Sequence, residues 1–388
     1  MKTTKLSELP IVPESYETAH YEKLDYTNVF SQMSPVERKF INGLLRYYQP
    51  EHILEIGVSQ GGGTVNILNA ISDIPNASLC SVDVTTSDLC GIEAKLKFPN
   101  IPESKWQLIT GKDISEIASK ALEKGKIDFV ILDSMHLHPV ESLNFLSVLP
   151  FLNEGAIVVL HDISVFAFPK ENGTNLASRI LYSSIVGDKL SPDYGDELHE
   201  NSCPGVVNIA AFQILPDTRK YIGNVFDGLL HPWEYFPHQY LNTVRELFTE
   251  HYSQENIIKF DKAREQNATW MLSGKSTFSR ERLSLLLFEK FAVPVIFYGA
   301  GYNMRVLLSA MKELNLDFNA DIWDINAKKI DNICGYKVLE PDFTSPVQNC
   351  NVIVMIQDSA VFQEVKGKFE LLGYTVYHEF DQYMKYGE

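Results

Sequence analysis

The sequence predicts an α/β protein with a doubly wound, mostly parallel sheet and a second, smaller α/β domain. Three observations support this prediction. Between residues 53 and 83, a short apolar run, a glycine-rich turn, an amphipathic helix and a second apolar run form the pattern of a β-α-β unit. A similar succession begins near residue 293. The length of 388 residues also exceeds what one ordinary core holds, so two domains are expected.

Composition limits the classes of protein to which the chain can belong. Hydrophobic residues make up 45% of the sequence and charged residues 22%, as in ordinary globular proteins. The net charge of −16 argues against nucleic acid or an anionic membrane as a partner. The five cysteines form no C-x-x-C pair, and neither a signal peptide nor a membrane span is expected. These features predict a cytoplasmic protein with reduced thiols.

Changes in composition predict four segments along the chain. Residues 1–33 are polar and form an N-terminal arm, and residues 34–250 form the first domain. The first domain contains a turn-rich insertion around residues 166–205, which is the kind of segment that shapes a ligand site. Residues 251–290 form a helical linker to the smaller domain of residues 291–388.

The first domain is predicted to begin with a helix and to continue with alternating strands and helices. Ser34 is the expected cap of the first helix, Pro35 its first residue and Glu37 the side chain that closes a capping box. Apolar runs predict parallel strands at residues 53–56, 79–82, 105–109, 127–132 and 155–160. Residues 206–214 and 218–222 predict two paired antiparallel strands that finish the sheet.

The turn after the first strand has the pattern Glu55-x-Gly57-x-x-x-Gly61, which differs from the G-x-G-x-x-G of dinucleotide sites. A carboxylate directly before the glycines would repel phosphate but suits a cationic ligand. The stretch resembles the first motif of class I S-adenosylmethionine (SAM) methyltransferases, which have a Rossmann-like fold. In that family the glycine loop wraps the amino-acid end of SAM, and the acid after the second strand holds the ribose hydroxyls. The resemblance implies cofactor contacts from Glu55, Gly57, Ser59, Gly61, Thr64 and Asp83. The alternative is a glycine-rich turn without a ligand.

Acidic residues and histidines follow the fourth and fifth predicted strands. Asp133 and His136 come after the fourth strand, and His161 and Asp162 after the fifth. Ligands of open α/β sheets bind at the carboxyl ends of the strands, so these side chains are expected to share a site. The arrangement resembles metal-dependent O-methyltransferases of the catechol type and a related branch that acts on macrolide sugars. The resemblance implies that Asp133 and Asp162 bind Mg²⁺ and that His136 replaces the lysine base of the catechol-type enzymes.

Two points of this resemblance stay open. The catechol-type enzymes have an asparagine directly after the second acid as a third metal ligand, whereas this chain has Ile163. The metal would need another oxygen, for which Glu141 and Asn144 are possible donors. His161 also ends a strand at the site, so it is an alternative to His136 as the base.

Other residues of the first domain have both a functional and a structural interpretation. Asp133 either binds the metal or contacts only SAM, or it caps the next helix. Asp113 either contacts the adenine, as the family suggests, or caps the helix that follows it. His138 is interpreted as structural. Trp233 and Tyr235 either stack on sugar rings or belong to the core or an interface.

The predicted C-terminal domain resembles the small Rossmann-like domain of several bacterial sugar-modifying and polysaccharide-biosynthesis enzymes. Its first strand leads into the turn of Gly299 and Gly301, and its second strand ends in Asp324. Met304 stands where a dinucleotide fingerprint requires glycine. A packing or dimerisation role is therefore favoured over a bound nucleotide, and homo-oligomer formation is left open.

The leading functional hypothesis is a SAM-dependent O-methyltransferase that acts on a hydroxyl of a sugar or glycosylated small molecule with the help of Mg²⁺. One alternative is a nucleotide- or NAD-binding enzyme that modifies sugars. Another is a non-catalytic SAM-binding subunit of polysaccharide or natural-product biosynthesis. The substrate class depends on resemblance alone.

Overall fold

The structure is a computed structural model that describes residues 3–9, 21, 24–26, 28–122, 127–164, 176–192, 208–233, 238–272, 294–313, 315, 320–344, 349–356 and 359–378. The chain forms two compact units. One consists of Met1–Glu234 and Asn242–Gln266, and the other of Tyr235–Leu241 and Asn267–Glu388. The predicted α/β fold with two sheets is confirmed. The domain boundaries given above remain predictions.

An eight-stranded sheet forms the centre of the first unit. Its strands are β1 (Thr3–Lys5), β2 (His52–Ile56), β3 (Ser78–Asp83), β4 (Trp106–Thr110), β5 (Ile127–Leu132), β6 (Leu152–His161), β7 (Lys189–Ser191) and β8 (Ile209–Gln213). They lie in the order β1-β7-β8-β6-β5-β2-β3-β4, and β2 to β6 run parallel. From β2 the chain proceeds outward through β3 and β4 and then returns to β5 on the other side of β2. The topological switch point therefore lies between β2 and β5.

Helices accompany the strands of the first sheet. They are α1 (Pro35–Tyr48), α2 (Gly62–Ala70), α3 (Ile92–Lys97), α4 (Ile114–Ala121), α5 (Val140–Val148), α6 (Ala177–Ser184), α7 (Pro216–Lys220), α8 (Gly223–Gly228), α9 (His238–His251) and α10 (Gln254–Leu272). The predicted capping box of α1 is confirmed, since Ser34 Oγ accepts a hydrogen bond from the Glu37 N–H and Glu37 Oε2 accepts one from the Ser34 N–H. Among the described residues, no helix has the length and apolar character needed to cross a membrane.

One predicted element of the first unit is wrong. Residues 218–222 were expected to form a strand paired with the preceding one, but Pro216–Lys220 is the helix α7. Pro216 lies in the first turn of this helix, and the Leu215 N–H donates to Thr218 Oγ1 at 3.0 Å, so the segment has helix-start chemistry. Strand β8 instead pairs antiparallel with β6 and β7. Much of the predicted insertion, residues 165–175 and 193–207, lies outside the described residues.

A six-stranded sheet forms the second unit. Its strands are β9 (Val295–Tyr298), β10 (Asp321–Trp323), β11 (Asn332–Ile333), β12 (Tyr336–Leu339), β13 (Asn351–Val354) and β14 (Thr375–His378), in the order β11-β12-β10-β9-β13-β14. Its helices are α11 (Tyr302–Glu313), α12 (Ala327–Ile330) and α13 (Ser359–Glu370). All strand pairs are parallel except β11 with β12. Met304 is fully buried in the core together with Phe297 and Ile322.

Candidate active site

The loop between β2 and α2 passes directly over the end of β5. Gly57 has a φ of +91°, and a Cβ atom at this position would lie 1.8 Å from the backbone oxygen of Asp133. Gly61 has a φ of +95°, and its Cβ would lie 2.8 Å from the Cα of Gly91. Only glycine fits such positions without moving the backbone. A ligand on this loop would therefore also meet the residues that follow β5.

Asp83, the last residue of β3, holds this loop. Its Oδ2 accepts hydrogen bonds from the N–H groups of Val58 at 2.8 Å and Ser59 at 3.0 Å. Its Oδ1 accepts one from the Thr85 N–H at 2.8 Å. An ionised carboxylate has about four acceptor positions, so one remains for a ligand hydroxyl. Asp83 therefore has the chemistry to hold the loop and a ribose together.

Glu55 lies beneath the loop and is 2% exposed. Its Oε2 accepts hydrogen bonds from Thr64 Oγ1 at 2.8 Å and Ser81 Oγ at 2.6 Å. Burial raises the pKa of Glu55 to about 8, although both hydrogen bonds act to lower it. The carboxyl group is thus largely protonated at neutral pH, which weakens the charge argument drawn from the sequence. Glu55 and Thr64 bond to each other below the loop.

Four side chains meet at the carboxyl ends of β5 and β6. Asp133, His136, His161 and Asp162 each offer one ligand atom, and these atoms all lie within 4.8 Å of one another. His136 and Asp162 have φ angles of +56° and +55°, a region that non-glycine residues rarely adopt. Backbone strain of this kind concentrates at functional sites. The structure therefore brings together the four residues that the sequence predicted at this edge of the sheet.

The two imidazoles each contact both carboxylates. His161 Nδ1 lies 2.9 Å from Asp133 Oδ1 and 3.3 Å from Asp162 Oδ1. His136 Nε2 lies 3.0 Å from Asp162 Oδ2 and 3.5 Å from Asp133 Oδ1. The His136 side chain is 23% exposed, whereas that of His161 is 4% exposed. Of the two, His136 is the one that an acceptor molecule can reach.

The charges in this cluster shift the pKa values of its buried members. Burial acts to lower the pKa of His161, but the neighbouring Asp133 and Asp162 raise it well above its ordinary value. Burial acts to raise the pKa of Asp133, but His161 and then His136 bring it below its ordinary value. His161 and Asp133 thus each favour the charged form of the other.

Two residues that the sequence analysis did not assign to the site complete it. Glu37 Oε1, from α1, lies 3.3 Å from His161 Nε2. Asn208 Nδ2, beside β8, donates to Glu37 Oε1 at 2.9 Å and to Asp162 Oδ1 at 2.7 Å. The pKa of Glu37 is lowered to about 2, since His161, Ser34 and Asn208 outweigh the opposing effect of burial. In the sequence, Glu37 is recognisable only as a capping residue, and no motif marks Asn208 as a residue of the site.

Glu141 and Asn144 lie behind the turn that carries His136. Glu141 Oε1 accepts hydrogen bonds from the His136 N–H at 2.7 Å and from Ser134 Oγ at 3.2 Å. Asn144 Nδ2 donates to Ser134 Oγ at 3.2 Å. The same Glu141 oxygen lies 3.7 Å from His136 Nδ1. Both side chains therefore support the position of His136.

The remaining predicted site residues have structural contacts. Asp113 Oδ1 caps α4 by accepting from the Ser115 N–H at 2.8 Å, and burial raises the pKa of Asp113 to about 6. His138 is fully buried, and this burial lowers its pKa to about 3. Trp233 is 4% exposed and donates from Nε1 to the Leu229 oxygen at 2.6 Å, so it belongs to the core. Tyr235 lies outside the described residues.

Residues 54–163 match a family model described as a methyltransferase domain. Within these residues the chain is similar to a methyltransferase domain. The matched residues run from β2 through Ile163 and so include the glycine loop and the four-residue cluster. The match covers less than half of the chain. No curated protein sequence matches.

Two solved structures resemble this chain at low similarity. One is the O-methyltransferase TomG from Streptomyces achromogenes, involved in tomaymycin synthesis, in complex with SAM; it is 16% identical, with 54% of this chain and 93% of that chain covered and a TM-score of 0.37. The other is an O-methyltransferase from Bacillus cereus in complex with SAH; it is 16% identical, with 54% and 94% covered and a TM-score of 0.36. These similarities are too low to support an argument about the reaction of this chain.

Proposed function

We propose that the chain is an O-methyltransferase that transfers the methyl group of SAM to a hydroxyl of a sugar or glycosylated small molecule, assisted by a divalent cation such as Mg²⁺. One observation carries this proposal. The glycine loop lies against Asp133, and Asp133 belongs to a cluster that also contains a partly exposed imidazole, that of His136. A cofactor on the loop would therefore lie beside groups that can remove a proton from an acceptor.

The cofactor is assigned to the loop and to the ends of the adjoining strands. The loop residues 57–61 would surround the amino-acid end of SAM, and the remaining acceptor position of Asp83 would receive a ribose hydroxyl. Glu55 and Thr64 would support the loop from below, through the hydrogen bond between them. Asp113 Oδ1 accepts from the Ser115 N–H, so a contact with the adenine would have to come from the other carboxylate oxygen, Oδ2.

His136 is proposed as the general base. The sulfonium of SAM is already a strong electrophile, so the enzyme must mainly align the acceptor and remove its proton. His136 Nε2 would accept the hydroxyl proton as the acceptor oxygen forms its bond to the methyl carbon and the carbon–sulfur bond breaks. Asp162 Oδ2, at 3.0 Å, would stabilise the resulting imidazolium. His161 is nearly inaccessible and would instead hold Asp133 and Asp162 in place.

The residues present fit a divalent cation. Asp133 and Asp162 bring carboxylate oxygens to the same edge of the sheet, and oxygen is the ligand type that Mg²⁺ prefers. Among the described residues, neither carboxylate forms an ion pair with a lysine or an arginine. Asp133 and Asp162 would hold the cation. When bound, it would stabilise the negative charge that develops on the acceptor oxygen.

The sugar acceptor is supported by the resemblance to macrolide-sugar methyltransferases and by the type of second unit. A sugar hydroxyl is a weak acid, so a base and a nearby positive charge both favour its reaction.

Transfer of labelled methyl groups from SAM to a panel of glycosides tests this proposal. His136→Gln is expected to lower the turnover number about a hundredfold or more, because the proton acceptor is lost, while SAM affinity stays unchanged. The matched control is His52→Gln at the opposite end of β2, which should leave turnover unchanged. Full activity of His136→Gln would contradict the assignment of the base. SAM binding without transfer to any glycoside would favour a non-catalytic SAM-binding subunit.

A further inference from the structure

We infer that His161 is the third protein ligand of the cation, so that Asp133, His161 and Asp162 form a one-nitrogen, two-oxygen site that prefers Mn²⁺ or another first-row transition metal to Mg²⁺. This inference rests on the proposed function, since it concerns the cation of the same site. It accounts for Ile163, which stands where the catechol-type enzymes supply an asparagine oxygen. The residue directly before Asp162 takes over that role.

The spacing of the three ligand atoms supports this assignment. His161 Nδ1 lies 2.9 Å from Asp133 Oδ1 and 3.3 Å from Asp162 Oδ1. Adjacent ligands of an octahedral ion with bonds of about 2.1 Å lie about 3.0 Å apart. The His161 nitrogen therefore already has, from each of the two oxygens, the separation of a neighbouring ligand around one ion.

The second nitrogen of His161 has the environment of a metal-bound histidine. His161 Nε2 lies 3.3 Å from Glu37 Oε1 without forming a hydrogen bond in this structure, and Asn208 Nδ2 donates to that oxygen at 2.9 Å. Metal-ligating histidines almost always donate their other N–H to a carboxylate or a carbonyl, which fixes the tautomer and leaves the first nitrogen free to bind. Glu37 would thus direct Nδ1 toward the cation, which makes it a positioning residue.

The other side chains near the carboxylates are engaged elsewhere. Asn208 turns its amide nitrogen toward Asp162, and its oxygen accepts from the Ser164 N–H at 3.2 Å, so this oxygen is not directed to the site. Glu141 and Asn144 are bonded to the turn of residues 134–136. His136 Nε2 is near Asp162, but its side chain is 23% exposed, against 4% for His161, and it is assigned to the proton. Of the side chains near the two carboxylates, His161 is therefore the one that is assigned to the cation as third ligand.

The ligand type determines which cation is preferred. Carboxylate and water oxygens suit Mg²⁺, whereas imidazole nitrogen suits transition metals. Replacing an amide oxygen by an imidazole nitrogen therefore shifts the preference toward Mn²⁺, Fe²⁺, Co²⁺ or Zn²⁺. Mn²⁺ is paramagnetic and also accepts oxygen ligands. It can therefore report both on a site with an imidazole ligand and on a site with oxygen ligands alone.

Titration of the metal-free full chain with MnCl₂ and MgCl₂, followed by pulsed electron paramagnetic resonance of the Mn²⁺ complex, tests the inference. Wild type is expected to bind one Mn²⁺ at least tenfold more tightly than Mg²⁺, with a hyperfine coupling from a directly bound imidazole ¹⁴N. His161→Asn, which offers an oxygen near the position of Nδ1, should lose that coupling and most of the Mn²⁺ preference. His136→Gln should keep both.

A second pair of variants keeps the inference testable if His161→Asn does not fold. Glu37→Gln should weaken Mn²⁺ binding about 10- to 100-fold, because the carboxylate behind His161 is lost. Glu141→Gln, behind His136, is the matched control and should leave Mn²⁺ affinity unchanged. A Mn²⁺ complex whose ¹⁴N coupling persists in His161→Asn would overturn the inference, and so would the absence of Mn²⁺ binding. SAM binding measured on the same samples separates the two proposals: binding of SAM and of Mg²⁺ without a ¹⁴N coupling from bound Mn²⁺ contradicts only the inference, whereas the absence of SAM binding contradicts the proposed function.

Discussion

In each of the two units, a parallel strand leads into a glycine loop. An aspartate at the end of the neighbouring strand accepts a hydrogen bond from that loop. In the first unit, Asp83 Oδ2 accepts from the loop N–H of Ser59 at 3.0 Å. In the second unit, Asp324 Oδ2 accepts from the loop N–H of Ala300 at 2.7 Å. The other oxygen of each aspartate accepts from the N–H two residues further along, at 2.8 Å and 2.7 Å respectively. The loop and its acid are therefore a framework that both units share.

The units differ at the strand beside that loop. In the first unit, β5 leads into Asp133 and the polar cluster. In the second unit, β13 leads into Met355 and Ile356, and a Cβ on Gly299 would lie 3.0 Å from Ile356 Cγ1. Among the residues of the second unit whose side chains are described, no carboxylate is buried. A glycine loop with an acid therefore indicates the fold, whereas the neighbouring strand end determines the chemistry.

Alanine substitutions at Gly57 and Gly301 should give the largest difference in stability between the two loops. Gly57→Ala is expected to lower the free energy of unfolding of the first unit by about 3 kcal/mol or more, since the new Cβ would meet a backbone oxygen at 1.8 Å. In Gly301→Ala no atom lies within 4 Å of the new Cβ, so the free energy of unfolding should change by no more than about 1 kcal/mol. Hydrogen exchange, read separately in the two units, measures both effects. Equal stability of the two variants would remove the claimed difference between the loops.

Acid sensitivity should also separate the units. His138 is buried and neutral, with a folded-state pKa of about 3. An unfolded chain binds a proton there below about pH 6.5, so stability is complete above that pH and decreases as the pH falls toward 3. From pH 7 to pH 5 this residue should cost the first unit about 2 kcal/mol.

Urea unfolding of wild type and His138→Gln at the two pH values measures this contribution. The stability gap between wild type and variant should shrink by about 2 kcal/mol at pH 5, because only wild type has the histidine to protonate. Hydrogen exchange in α11 of the second unit serves as the reference, and its protection should not depend on this substitution. A gap that does not change with pH would mean that His138 is protonated in the folded protein.

Local sequence patterns were sufficient for much of the fold. The parallel strands β2 to β6 each contain a short apolar run, and Ser34 with Glu37 is a capping box that depends only on neighbours in the chain. The cluster could be predicted because topology brings the ends of β5 and β6 together. The shared location of Asp133 and Asp162 could therefore be predicted without knowledge of the side-chain contacts.

The remaining features depend on contacts between distant residues. Glu37 and Asn208 are 171 positions apart and meet only because α1 and β8 fold onto the same sheet edge. The protonation of Glu55 could not be predicted either, since it follows from complete burial. Residues 218–222 have the apolar content of a short strand, but Pro216 two residues earlier starts a helix instead.

The most direct test asks whether the first loop holds the cofactor. The full chain is titrated with SAM, and binding is compared between wild type, Asp83→Asn and Asp324→Asn. Both substitutions remove a charged acceptor from the same type of loop. We expect one SAM site in wild type, at least tenfold weaker binding in Asp83→Asn, corresponding to about 1.5 kcal/mol for a hydrogen bond to a charged group, and unchanged binding in Asp324→Asn. SAM binding that is lost in Asp324→Asn and kept in Asp83→Asn, or absent from wild type, would contradict the account.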